Sequence, residues 1–184
     1  MTSSHLILGG ARSGKSRFAL AGIPRHARVA FVATALAGDG DMAARIARHR
    51  AERPRGWLTI EEPFELVPRL SSLAREADYV VVDCVTVWVA NLLLRGDPDV
   101  AIHAAADELA VLVGRGIFDS TLVSNEVGAG VVPPTADGVH FRDLLGFANQ
   151  RLAAACDRVT LMVAGLPLTI KASPPGHDVA PQTA

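Results

Sequence analysis

Lysine is nearly absent from this chain. Of 18 basic residues only two are lysine, Lys15 and Lys171. An ammonium is a compact charge with three donors, whereas a guanidinium is a flat fork. In so arginine-rich a chain, a retained lysine marks a place where arginine will not serve. Lys15 falls where a phosphate-binding lysine is expected; Lys171, near the end, reads as chance. Cysteine is scarce too. Cys84 and Cys156 show neither metal-ligand spacing nor a disulfide framework, which fits a reducing compartment and two small apolar packing residues. Long apolar runs are missing, since none reaches the roughly 18 residues of a membrane helix. Met1 to His5 lead straight into a strand pattern without a signal peptide's layout, so the expected location is the cytoplasm. An excess of one charge is also missing. A net charge of −1 and the lack of a basic, aromatic-interleaved surface argue against a nucleic-acid machine. There is no internal repeat and no linker.

What is present is a folded α/β pattern. With 49% hydrophobic and 20% charged residues, the 184-residue chain is globular and suits one domain with a proper core. Five short runs rich in Val, Ile and Leu read as strands covered on both faces: Leu6–Leu8, Val29–Ala33, Tyr79–Asp83, Thr121–Ser124 and Val159–Ala164. Helical patterns lie between them at Lys15–Ala21, Asp41–Arg53, Phe64–Arg75, Val87–Leu94, Asp99–Val113 and Phe141–Ala155. Pro54 ends the second of these. The alternation implies a mainly parallel sheet with helices on both faces, in one domain over residues 1–172. Ser173–Ala184, with three prolines and few apolar residues, reads as a loose tail. Ligands of such sheets bind at the carboxyl ends of the strands. Those ends are Gly9–Ser16, Thr34–Asp41, Asp83–Thr86 and Asn125–Pro133.

The first of these loops is the most specific. Leu6-Ile7-Leu8 leads into Gly9-Gly10-Ala11-Arg12-Ser13-Gly14-Lys15-Ser16 and then a helix. This is the G-x-x-x-x-G-K-S pattern between a strand and a helix, the context that a P-loop requires. Its glycines let backbone N–H groups turn inward around phosphate oxygens, and the helix N-terminus adds a positive dipole end. Lys15 is expected at the β- and γ-phosphates and Ser16 on Mg²⁺. The acid that partners Ser16 is expected at the end of a neighbouring apolar strand. Asp83, after Tyr79-Val80-Val81-Val82, fits, as a Mg²⁺ ligand directly or through water or as a nucleotide contact.

The stretch Asp41–Arg53 places Met42, Ile46, His49 and Arg53 on one helical face, with Arg45, Arg48 and Arg50 around His49. Spacing alone favours a packed histidine on a helix with a solvated basic rim. The functional alternative is an imidazole kept neutral and nucleophilic by surrounding cations, able to attack an α-phosphorus. Asn125 and Glu126 fall at the end of the Thr121–Ser124 strand, followed by Gly128 and Gly130. There Glu126 is a candidate general base or Mg²⁺-linked group, and turn chemistry is an equal alternative. Asn149 and Gln150, inside a later helix, either touch a second substrate or pack.

At this point the residues resemble a known family. The matching segments are Gly9 through Ser16, Ala33-Thr34-Ala35, and Arg45-Ile46 to His49-Arg50 with Arg53-Pro54. They continue with Trp57 to Pro63, Val82 to Thr86, Trp88 to Asn91, Ser124 to Gly128, Phe141-Arg142-Asp143, Asn149-Gln150 and Gly165 to Lys171. In order over nearly the whole chain except the tail, they resemble the bifunctional adenosylcobinamide kinase / adenosylcobinamide-phosphate guanylyltransferase family of cobalamin biosynthesis. The resemblance implies that His49 takes GMP from GTP as a covalent intermediate. Some members carry two adjacent histidines here; this chain has Arg48-His49, so the role falls on His49. It also implies that Ala33, Thr34, Ala35, Arg50, Ala51, Glu52, Arg53, Glu61 and Asp83 help to hold the guanine nucleotide, with Asn125 and Glu126 as second-substrate candidates. ATP and GTP are the implied nucleotide substrates with Mg²⁺, and adenosylcobinamide and its phosphate the acceptors. A homo-oligomer is implied too, with a trimer as the expected form.

Two other classes compete. A plain P-loop kinase for a small metabolite would leave His49 structural. A GTPase switch usually carries an Asn-Lys-x-Asp guanine reader, which a chain with lysine only at 15 and 171 cannot contain.

Overall fold

The computed structural model describes residues 2–36, 54 and 56–172. The expected Asp41–Arg53 helix, with His49, and the tail from Ser173 lie outside the described residues. Within them the chain runs β1 (Ser4–Gly9), α1 (Lys15–Ala21), β2 (Val29–Ala33), β3 (Leu58–Glu61) and α2 (Leu66–Ser72), the last extended by a 3-10 turn, Leu73–Arg75. Next come β4 (Tyr79–Asp83), α3 (Val85–Arg95), α4 (Asp99–Gly114), β5 (Asp119–Val123), α5 (Ala136–Ala155), β6 (Arg158–Val163) and β7 (Leu166–Lys171).

The strands form one sheet of seven, in the order β3-β2-β4-β5-β1-β6-β7. All neighbours are parallel except β7, which runs antiparallel to β6. The strand residues alternate between two apolar layers, as the two-residue period demands. Leu6, Ala30, Val32, Val80, Val82 and Leu122 face the large core with α2 to α5. Ile7, Phe31, Val81 and Val123 face the side of α1, which packs through Phe18, Ala19 and Leu20. The α/β fold with helices on both faces is thus observed. Sidedness follows from the sequence: buried strands of β-branched residues cannot sit at a surface, so each face acquires helices.

Two strands go beyond the five read from the sequence. β3 is a four-residue edge strand with an exposed, buried and partly exposed mixture of side chains. β7 is exposed at every residue and contains Pro167, tolerated at an edge because no ladder hydrogen bond is lost on the open side. Neither carries the continuous apolar run that marks a central strand. α5 also begins earlier than Phe141, because Thr135 caps it, its Oγ1 accepting from the Gly138 amide at 3.1 Å.

Candidate functional site

The strand ends expected to hold ligands do gather along one edge of the sheet. After β1, Gly9 and Gly14 take positive φ values of 152° and 94°, and Arg12 enters the left-handed region at 58°. Gly9 has no room for a side chain, since a Cβ there would lie 2.6 Å from the Met162 carbonyl oxygen and 2.7 Å from Ser13 Oγ. The ammonium of Lys15 curls back over the loop and donates to the carbonyls of Gly9 (2.8 Å) and Gly10 (2.7 Å). Lys15 is 8% exposed, so its charge is concentrated at the loop mouth. Ser16 follows in the first turn of α1.

Asp83 ends β4, but β4 is not a neighbour of β1. Asp83 is level with Val123 of β5, and Val123 with Ile7 of β1. This corrects the expectation of an adjacent acid. One strand intervenes, which places the Asp83 backbone about 10 Å from that of β1 at strand spacing. Asn125 and Glu126 occupy the gap, as the continuation of β5. The Glu126 amide donates to the Gly9 carbonyl (3.1 Å), binding this loop to the glycine loop. Glu126 Oε1 accepts from the Gly128 amide at 2.7 Å, so its carboxylate stabilises the turn in this state.

A buried polar chain holds that loop. Thr86 Oγ1 accepts from the Asn125 amide (2.6 Å) and lies 3.3 Å from Ser124 Oγ. Ser124 Oγ donates to Asn149 Oδ1 (2.7 Å), and Asn149 Nδ2 donates to the Asn125 carbonyl (3.0 Å). Asn149 therefore packs, and its work is to fix Asn125. It lies on the stripe Leu145, Asn149, Leu152, all buried, so a polar residue on an apolar face was the legible signal. Thr86 and Ser124 carried no such mark.

The other side of the edge is braced similarly. Thr34 is fully buried. Its hydroxyl donates to the Cys84 carbonyl and accepts from the Cys84 amide, and Asn91 Nδ2 joins the Thr34 and Pro63 carbonyls at 2.8 and 3.1 Å. The side chain of Thr34 is thus spent inside the protein. Ala33 accepts from the Glu62 amide at 2.9 Å; Ala35 is half-buried and Glu61 exposed. Burial first, then the nearby Asp83 charge, pushes the Cys84 thiol up to about 11, and burial pushes that of Cys156 up to about 12. Both stay protonated and behave as small apolar groups, as their spacing implied. Arg50, Ala51, Glu52 and Arg53 lie outside the described residues with His49.

A glycine loop between strand and helix, with a lysine at its mouth and an acid at a nearby strand end, defines a P-loop nucleotide-binding α/β protein. The same fold is seen in a solved ATPase from the type III secretion system of pathogenic bacteria, with a TM-score of 0.55 at 14% identity, matched over 91% of this chain and 56% of that one. The chain belongs to the cobinamide kinase / cobinamide phosphate guanyltransferase family, whose profile matches residues 5–170. It is 49% identical over 174 residues to the bifunctional adenosylcobalamin biosynthesis protein CobP of Pseudomonas aeruginosa, covering 92% of this chain and 98% of the relative. It is 40% identical over 178 residues to the bifunctional adenosylcobalamin biosynthesis protein CobU of Escherichia coli K12, covering 90% and 98%. The protein is therefore an enzyme of cobalamin biosynthesis. Among the described residues, no helix is long and apolar enough to cross a membrane.

Proposed function

We propose that the enzyme first phosphorylates adenosylcobinamide with ATP or GTP and then transfers GMP from GTP to the adenosylcobinamide phosphate. The observation that carries this reading is the Lys15 ammonium held at 2.8 and 2.7 Å from the Gly9 and Gly10 carbonyls. A short swing takes it from those carbonyls to a phosphate seated in the loop. The loop amides and the N-terminus of α1 add their partial positive charge around the same phosphate. In the first half, the acceptor hydroxyl attacks the γ-phosphorus, the bond to the β-phosphate oxygen breaks, and Lys15 stabilises the charge that builds on the transferring group. Glu126, beside Gly9, is the nearer candidate to take the hydroxyl proton; Asp83 is the alternative.

The donor set suits Mg²⁺: a Ser16 hydroxyl at the start of α1 and a half-buried Asp83 carboxylate, hard oxygen ligands one strand apart. When bound there, the ion would neutralise phosphate charge. Gly9 to Ser16 would hold the phosphates. Ala33, Thr34 and Ala35 contribute through the strand end that they brace.

In the second half, a ring nitrogen of His49 attacks the α-phosphorus of GTP, a P–N bond forms, and pyrophosphate leaves. A phosphate oxygen of adenosylcobinamide phosphate then attacks the same phosphorus and breaks the P–N bond, giving adenosylcobinamide-GDP. Arg50 to Arg53 and Glu61 are assigned to holding the guanine nucleotide, with Asn125 and Glu126 nearest the acceptor. We place the enzyme in the cytoplasm as a homo-oligomer, with a trimer as the expected form, and the catalytic domain at residues 1–172. Support for association comes from the outer hairpin, where Val163, Leu166 and Leu168 are more than half exposed on one face.

The test is the intact mass of the denatured protein after incubation with GTP and Mg²⁺. A GMP adduct on the wild type and none on His49→Ala is the expected result. No adduct on a wild type that binds GTP would leave a P-loop kinase with a structural His49.

A further inference from the structure

A P-loop that turns its amides inward turns its carbonyls outward, and each of those needs a donor. Gly10 O accepts from the Ser13 amide (3.3 Å) and from Lys15. Gly9 O accepts from Lys15 and from the Glu126 amide. Ser13 O accepts from the Gly165 amide at 3.0 Å. When Lys15 swings to a phosphate, its two bonds to the loop are given up. Ties from the loop to neighbouring segments that do not depend on Lys15 include Glu126 to Gly9 and Gly165 to Ser13. The second holds the half of the loop that carries Lys15 and Ser16.

Gly165 sits in the turn of the β6–β7 hairpin. Ala164 and Gly165 both take left-handed backbone, with φ of 51° and 84°, the two-residue hairpin geometry that aims the Gly165 amide at Ser13. An alanine in that region is uncommon. The hairpin also walls the loop sterically. A Cβ on Gly14 would lie 3.4 Å from Gly165 Cα, and one on Gly9 would meet the Met162 carbonyl oxygen.

We infer that the β6–β7 turn is a positioning element of the nucleotide site, in which the Gly165 amide sets the loop geometry that lets Lys15 and Ser16 meet a nucleoside triphosphate. The inference rests on the reading of Gly9–Ser16 as the phosphate site. Gly165 touches no substrate; it acts through Ser13.

Two full-length variants separate this role from hairpin stability. Replacement of Gly165 by glycolate puts an ester oxygen in place of the amide, which removes the donor facing Ser13 O, weakens the Ala164 carbonyl as an acceptor and keeps every side chain. Lys171→Met weakens the far end of the hairpin, where its ammonium holds the carbonyls at the end of α5, and leaves Gly165 in place. The ester variant should bind ATP and GTP about ten-fold more weakly, the fold-change matching one lost hydrogen bond, and its loop amides at 13–16 should exchange hydrogen faster without nucleotide. Lys171→Met should melt at a lower temperature yet keep affinity within about two-fold, as the Gly165 donor and its turn are untouched. Equal loss of affinity in both variants, in step with melting temperature, would overturn the inference. Unchanged loop exchange in the ester would overturn it as well. A wild type that binds no nucleotide would instead sink the phosphate-site reading, while loop exchange would still report on the tie.

Discussion

Thr34 and Cys84 exchange two hydrogen bonds through one hydroxyl: Thr34 Oγ1 donates to the Cys84 carbonyl at 2.7 Å and accepts from the Cys84 amide at 2.9 Å. The pair locks the end of β2 to the end of β4 immediately beside Asp83. Thr34→Val keeps the shape and strands the Cys84 amide in the interior, while the Cys84 carbonyl keeps the Trp88 amide at 3.2 Å. The expected loss is about 1–3 kcal/mol of unfolding free energy, from one unsatisfied group. Thr34→Ser should recover most of it. Urea titrations of the three proteins decide the matter, and a valine variant as stable as the wild type would mean that water replaces the hydroxyl.

Lys15 leads to a sharper expectation. Its ammonium is anchored on two carbonyls and is nearly enclosed. A guanidinium is flat, larger and cannot converge three donors on one point. Lys15→Arg, though charge is kept, should lower kcat/KM for phosphoryl transfer by on the order of 10²-fold. Steady-state kinetics with ATP and with GTP would show it. Full activity in the arginine variant would mean that charge alone suffices.

Asn149 lies in the core of α5, yet its effect should appear at the acceptor. Its amide is the link between Ser124 and the Asn125 carbonyl. Asn149→Leu removes that link, and the Asn125–Glu126 loop loses its register. The acceptor KM should rise about ten-fold, since one buried hydrogen bond is worth about 1 kcal/mol or more, and nucleotide affinity should weaken by a smaller factor through the Glu126–Gly9 tie. Equal effects on both substrates would place the residue's influence on the whole edge of the sheet.

The glycine loop and the central strands were legible because each rests on a local pattern: fixed glycine spacing, or a run such as Val80-Val81-Val82 that no exposed segment tolerates. What was not legible depends on partners distant in the chain. That β5 stands between β1 and β4 is a matter of topology, so the separation of Asp83 from the glycine loop could not be read. Lys171 is the clearest case. It looked incidental near the end of the chain, yet its ammonium donates to the carbonyls of Ala153 (3.2 Å), Ala154 (2.9 Å) and Cys156 (2.6 Å). It closes the C-terminus of α5, where a cation opposes the negative end of the helix dipole. Lys171→Met should cost about 1–2 kcal/mol of stability and leave the nucleotide KM unchanged, measurable by thermal melting alongside kinetics.

His5 should give the fold an acid weakness. Arg158 donates to its Nδ1 at 2.9 Å, so that nitrogen carries a lone pair, and its Nε2 lies 2.8 Å from Thr160 Oγ1. The ring is therefore neutral and protonated at Nε2. Burial, and then the Arg158 charge, lower its pKa from the usual 6.5 to about 4. Between these values the unfolded chain binds a proton that the folded chain refuses, so stability rises with pH through that window and is fully present above pH 6.5. On acidification it falls from about pH 6.5 to about pH 4 and then levels, a loss of at most about 3 kcal/mol from this group. His5→Leu removes the titrating ring. Its absolute stability at pH 7 will differ from the wild type through the stranded Thr160 and Arg158 groups. The diagnostic is the slope: between pH 7 and pH 4.5 the leucine variant should lose distinctly less unfolding free energy in urea titrations. Parallel pH profiles for the two proteins would show that His5 accepts its proton in the folded state, with Arg158 turning away to allow it.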